Sequence, residues 1–196
     1  MPQPPAAEMM SDTQAQPATA LWRFSLAVYA RAGVAPECLD VQERFGADVN
    51  LLLFSAYLGA IERVVLSKDD LGQAAAVVDG WHRDVVRTLR RTRRTLKPLS
   101  EAGAGPLANE TASLRARVKA AELEAERIEQ AMLWTSWRAR AMPPQRAAAQ
   151  DALAANVRAV LLASGARERD ADPGCTLPYL LQAALAERAQ MEQMQQ

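Results

Sequence analysis

The sequence predicts an all-α protein, a single helical domain of six to seven helices that includes a long antiparallel helical hairpin. Three observations carry this. About a fifth of the 196 residues are alanine while aromatics make up 5%, a mixture that suits close-packed helices and not the β-branched, aromatic-rich strands of an all-β fold. Apolar residues recur at alternating spacings of four and three between residues 78 and 132. No stretch shows the strict alternation of a half-buried strand. A chain of this length buries roughly 70% of its unfolded surface, so the fold needs neither a metal nor a disulfide to hold it.

Residues 1–19 are rich in Pro, Gln and Ala, with no basic segment and no apolar run. They read as a disordered tail and not as a signal peptide. The helical domain is expected over residues 20–190. Thr19 is placed to cap a first helix carrying Leu21, Trp22, Ser25, Val28 and Tyr29, closed near Gly33. Pro36 suits the first position of a short helix that Gly46 ends. Asp48 caps the most apolar stretch, Val49 to Leu66, which is hydrophobic nearly all round and is expected at the centre of the core. Its longest apolar run, Val49 to Ile61, spans about 20 Å as helix, short of a bilayer's ~30 Å core, so no membrane partner is expected.

Ser67 and Asp70 form a capping-box-like start to a helix running to about Lys97, with Gly80 as a point of kinking. Val78, His82, Val85, Leu89, Thr92, Leu96 and Leu99 make one heptad seam. Leu107, Thr111, Leu114, Val118, Ala121, Ala125, Ile128 and Met132 make a second. Folded about the breaker stretch Pro98–Pro106, they form a hairpin over about 68–141, with Leu96 facing Leu107, Thr92 facing Thr111, Leu89 facing Leu114 and Val85 facing Val118. Pro143 and Pro144 start a further helix to about Ala163. A charged loop, Gly165 to Gly174, leads to a last helix from Leu177 to about Gln190, and residues 191–196 are expected to fray.

Lys+Arg is 23 and Asp+Glu is 23, so the net charge is +0. A globally basic nucleic-acid binder is excluded. One segregation is nonetheless present: Arg83, Arg87, Arg90, Arg91, Arg93, Arg94 and Lys97 fall within fifteen residues that hold a single acid, Asp84. With His82 in the seam, most of these bases point outward. They read either as an anion-binding ridge or as a solvated face neutralised by Glu122, Glu124, Glu126 and Glu129 opposite. No interleaved aromatics support base stacking.

Catalytic motifs are sparse. No phosphate-cradling glycine loop is present. His82 is the one histidine, so no metal site of the His/Cys zinc type and no paired di-iron motif is expected. Asp79, three residues before His82, copies half of such a motif with the wrong acid. A packed, hydrogen-bonded core histidine is the plainer reading. A polar and aromatic cluster of Trp22, Tyr29, Asp48 and Asn50 offers a pocket, although Asp48 also reads as a helix cap. Trp134 and Trp137 read as packing anchors. Cys38 and Cys175 lie far apart without a CxxC pair, which suits a reducing, cytoplasmic setting.

The segments Leu21-Trp22-Arg23-Phe24-Ser25-Leu26-Ala27-Val28-Tyr29 and Gly46-Ala47-Asp48-Val49-Asn50-Leu51-Leu52-Leu53-Phe54, with Gly59, resemble the signature of a proteobacterial family of uncharacterised all-helical proteins. Trp81, Val85, Leu89, Arg90 and Lys97 are similar to its later block. The resemblance covers roughly Leu21 to Trp137. It implies a bacterial cytosolic protein and assigns no catalytic residue.

Two functions are therefore expected as alternatives. One is a non-enzymatic interaction or regulatory protein that binds an acidic protein or a nucleic acid through Arg83, Arg87, Arg90, Arg91, Arg94 and Lys97. The other is a small-molecule enzyme or sensor built around Trp22, Tyr29, Asp48 and Asn50. No cofactor is implied by either.

Overall fold

The structure, a computed structural model, describes residues 12–101, 107–140 and 143–194. The all-α expectation holds. The chain forms α1 (Asp12–Tyr29), α2 (Val34–Phe45), α3 (Val49–Ala60) and α4 (Lys68–Trp81). A π turn (His82–Val86) carries α4 into α5 (Arg87–Glu101), followed by α6 (Ala108–Arg138), α7 (Ala149–Ala163), α8 (Pro173–Thr176) and α9 (Pro178–Gln193). The first eleven residues of the expected tail, loop residues 102–106 and the final two residues of the expected frayed end lie outside the described residues. Helix α1 begins ahead of the expected Thr19 cap, so residues 12–19 are helix and not tail. Gln14, Ala15, Gln16 and Ala18 in that stretch include good helix formers.

Helix α3 is the centre of the core. Leu52, Phe54, Ala56, Leu58 and Ala60 are fully buried, and α1, α6, α7 and α9 all pack on it, α7 most extensively. Asp48 caps it as expected, its side chain accepting from the amides of Asn50 and Leu51. Gly59 lets α7 come close: a Cβ there would lie 2.5 Å from the Leu153 Cα. Trp134 and Trp137 anchor α6 as expected, edge-on to Tyr57 at 5.9 Å and to Phe54 at 6.4 Å between ring centroids.

The central helix stops at Ala60 rather than Leu66. Arg63 takes a left-handed conformation (φ 58), and Val64–Val65 then forms β1, paired antiparallel with β2 (Gln145–Arg146). Asn156 of α7 holds this bend from inside. It accepts from the Leu66 amide at 2.8 Å and donates to the carbonyls of Ser55 and Val64 at 3.0 and 2.9 Å. The helix expected from Pro143 consequently starts at Ala149, because the preceding residues are taken up by the β pair. Residues Glu168–Asp170 of the charged loop form a 3-10 turn. The N-terminus of α9 is satisfied from α2, where Glu37 accepts from the amides of Tyr179 and Leu180 at 3.0 and 2.9 Å.

The hairpin exists, and its register differs from expectation. The Ser67–Asp70 capping box starts α4, but after Val78 and His82 the π turn inserts one residue into the helical repeat. The inward positions become Val86, Arg90 and Arg93 in place of Val85, Leu89 and Thr92. Val86 is fully buried, Arg90 is 13% exposed and Thr92 is on the surface. Helix α5 also runs on through Pro98 to Glu101, which moves the hairpin turn towards the C-terminus. Arg93 therefore meets Glu122, about 16 Å further along α6 than Thr111. Thr92 and Thr111 do not face each other as a polar layer: each hydroxyl donates to the carbonyl four residues earlier in the chain, Thr88 and Leu107.

Candidate functional site

The seam between α5 and α6 is charged. Arg90 reaches Glu122 at 3.1 Å and Glu126 at 2.6 Å, and Arg93 also pairs with Glu122. Burial works against ionisation of Glu122, yet the two guanidiniums win and hold its carboxyl below the usual range. The expected outward ridge is thus split. Arg90 and Arg93 are tied into the hairpin. Arg83 pairs on the surface with Asp79 and Asp84. Arg91, Arg94 and Lys97 are exposed, and none of them has a carboxylate within ion-pair reach among the described residues.

Above this seam lies a groove of 260 Å³, close to the lower end of the roughly 300–1,000 Å³ typical of ligand sites. One wall is α1, with Trp22, Leu26 and Tyr29. Leu39 of α2 and Leu123 of α6 close the sides, and Asn50, Leu53 and Gln130 form the floor. The rim carries Arg90, Arg93, Arg94 and Lys119 against Glu122 and Glu126, an excess of two positive charges. Leu26, Leu39 and Leu123 are each more than 40% exposed, so the groove presents apolar surface to solvent. Burial raises the Tyr29 phenol above its ordinary value, and it stays protonated and able to donate.

The structure therefore joins half of the residues of the two sequence-predicted sites into one. Trp22, Tyr29 and Asn50 share the groove with Arg90 and Arg94. Asp48, expected in the same pocket, instead faces a second, larger cavity of 960 Å³ together with His82 and Arg87.

A buried polar chain runs between the two cavities. The Ser25 hydroxyl donates to Gln130 at 3.0 Å, Gln130 donates to Asn50 at 3.3 Å, and Asn50 donates to Glu129 Oε2 at 2.8 Å. On the far side, His82 Nδ1 sits 3.0 Å from Glu129 Oε1 and 3.3 Å from Asp48 Oδ2. Every amide and hydroxyl in the chain donates towards Glu129, which is itself fully buried. Burial and the neighbouring Glu129 charge push the Asp48 carboxyl up to about 7. Burial works against the charged form of His82, but its bond to Glu129 and the Asp48 charge outweigh it, and its pKa is raised. The plain reading of His82 as a packed, hydrogen-bonded residue holds; its position beside two carboxylates was not foreseen.

Sequence reasoning missed Gln130 and Lys119, and it placed Glu129 only as a surface neutraliser. Their signal was weak. A seam drawn through Ile128 and Met132 leaves positions 129 and 130 apparently outside, and only a buried acid–amide pair flanked by that seam could have drawn attention. Glu122 and Glu126 were identified as counterions of the arginines, and they are.

Comparison with known proteins adds a family match over residues 20–133, to a protein family of unknown function (DUF2390). That segment includes all residues named above for the groove, the polar chain and the Asp48–His82–Glu129 trio. No curated relative and no solved structure matches the chain. Because the match takes in more than half of the sequence, the chain belongs to the DUF2390 family.

Proposed function

We propose that the chain is a non-enzymatic binding protein of the bacterial cytoplasm, and that its groove takes an anionic ligand with an apolar body. The observation that carries this reading is the pairing of opposites at one place. Arg94 and Lys119 stand at the rim with no carboxylate within ion-pair reach among the described residues, over walls of Trp22, Leu26, Leu39 and Leu123. Surface charges contribute about 0–1 kcal/mol each to folding, so two unpaired bases above exposed leucines are not explained by stability. Arg90 and Arg93 are already neutralised and serve to hold the rim in place. Tyr29 supplies a hydrogen-bond donor within the groove, while the Asn50 and Gln130 amides are committed to the buried polar chain beneath it. Two unpaired cysteines, Cys38 and Cys175, suit a reducing compartment. No helix among the described residues is long and apolar enough to cross a membrane.

A second reading keeps the outward face of α5 as the contact for an acidic protein or nucleic acid, and the exposure of Arg91 and Lys97 favours it. One calorimetric experiment separates the two, using anilinonaphthalene sulfonate as an aromatic anion and a short deoxyoligonucleotide as a phosphate polymer. The groove reading expects saturable sulfonate binding that weakens in Arg94→Gln/Lys119→Gln and in Leu26→Ser, and is unchanged in Arg91→Gln/Lys97→Gln. Oligonucleotide binding abolished by Arg91→Gln/Lys97→Gln, with no saturable sulfonate site, would replace it with the second reading.

A further inference from the structure

The Asp48–His82–Glu129 trio lies at the opposite end of the polar chain from the groove, and anion binding makes no use of it. It is assembled from three separate elements: the cap of α3, the π turn and the middle of α6. Asp48 Oδ1 is occupied by the Asn50 and Leu51 amides at 2.8 and 3.3 Å, and Glu129 Oε2 by the Asn50 side chain at 2.8 Å. One oxygen of each carboxylate is left, and both turn to His82 Nδ1. The three atoms lie within 4.8 Å of one another, with the two imidazole edges at 3.0 and 3.3 Å. Ligand atoms held at 2.0–2.2 Å from a first-row cation stand roughly 3.0–3.5 Å apart, so these edges already have the dimensions of a coordination sphere.

We propose that Asp48 Oδ2, His82 Nδ1 and Glu129 Oε1 are the protein ligands of one first-row divalent metal ion, with solvent completing the sphere from the adjacent cavity. One imidazole with two carboxylates is a donor set suited to Mn²⁺, Fe²⁺ or Zn²⁺, distinct from the His/Cys zinc type that the sequence argues against. Two carboxylates and a neutral imidazole carry a charge of −2, which a divalent ion cancels. The donors outside the trio are those a metal site needs: the Asn50 side chain fixes the rotamer of Glu129, and backbone amides fix Asp48. The 960 Å³ cavity that opens on Asp48 and His82 provides the path for the ion. His82 opens a π turn, the rarest of helical geometries and one associated with functional sites.

The test uses the whole chain, stripped with chelator and titrated with Mn²⁺ and, separately, Zn²⁺ by calorimetry, with Mg²⁺ for comparison. One Mn²⁺ or Zn²⁺ ion per chain is expected, with at least tenfold weaker binding in Asp48→Asn, which keeps the helix cap, and in His82→Gln. Because His82 is the one histidine, its ring protons give an unambiguous signal in the wild-type protein. Mn²⁺ should broaden that signal at one equivalent, and Zn²⁺ should shift it. A ring signal that stays sharp and unshifted at saturating metal overturns the proposal even if both variants fail to fold. So does metal affinity unchanged in the folded variants. The trio would then be an ion pair between a protonated His82 and two acids.

Discussion

Asn50 and Glu129 meet through a single 2.8 Å hydrogen bond that ties the first turn of α3 to the middle of α6. The acceptor is fully buried, so the bond is a condition for placing a carboxylate there at all. Removing the donor by Asn50→Ala should cost about 2–3 kcal/mol in urea unfolding, since Glu129 Oε2 is then buried without a donor and only Oε1 keeps its contact with His82. Asn50→Asp should cost more, by setting two carboxylates against each other.

Gly59 makes a sharper prediction. A Cβ added there would meet the backbone of Ala152 and Leu153 and not a yielding side chain. Gly59→Ala must push α3 and α7 apart, and about 1–3 kcal/mol of destabilisation is expected from overpacking. The rise in helix propensity from Gly to Ala works in the opposite direction and is smaller, about 1 kcal/mol. Thermal unfolding of the variant reads the balance directly; a stabilised variant would show that the two helices can separate without loss.

The arginines of α5 should divide into two groups. Arg90→Gln leaves Glu126 without its counterion and Glu122 with Arg93 alone in a half-buried seam, and should cost about 3 kcal/mol. Arg91→Gln and Arg94→Gln should leave the midpoint of unfolding nearly unchanged. Equal effects at all three positions would mean that the seam pairs do not form in solution.

Stability should also respond to pH at the trio. Asp48 is held at about 7 in the folded chain against an ordinary carboxylate value near 4 when unfolded. The folded state therefore binds more protons between those values, and stability falls as pH rises through that window. His82, also raised, adds a stabilising contribution that is complete below its ordinary value of about 6.5 and is lost as pH rises through the folded one. Glu129, Asp48 and Arg90 are the charged groups acting on it. In chelator-treated protein, the wild type should lose more stability from pH 5 to pH 8 than Asp48→Asn; parallel curves would mean Asp48 titrates normally.

Much of the fold was legible because it is written in local rules. Asp48 before an apolar run, Ser67 with Asp70, and Gly46 after a short helix each specify a helix end with a few residues. The hairpin was legible as a pairing but not in register. A heptad count assumes an unbroken repeat, and one inserted residue at the π turn rotates everything after it, exchanging Leu89 and Thr92 for Arg90 and Arg93 at the interface. The β1–β2 pair was invisible for a different reason. Two-residue strands carry no periodicity, and Asn156, which supports them, looks like any polar helical residue in the sequence. The candidate site was legible in halves. Trp22, Tyr29 and Asn50 on one side and Arg90 and Arg94 on the other were identifiable by type, but their meeting depends on the corrected register. Glu129 and Gln130 owe their importance to a long-range contact with α3 that no local pattern encodes.

The central claim is that an apolar anion enters the groove beside Trp22. The chain has four tryptophans, and their positions make one spectrum decisive. Trp22 lines the groove, Trp81 donates its indole N–H to the Ala125 carbonyl, and Trp134 and Trp137 are packed in the core. Titrating anilinonaphthalene sulfonate into nitrogen-15-labelled protein should move the Trp22 indole signal saturably and leave the other three in place. A Trp22 signal that does not move, or four that drift together without saturation, would contradict the account.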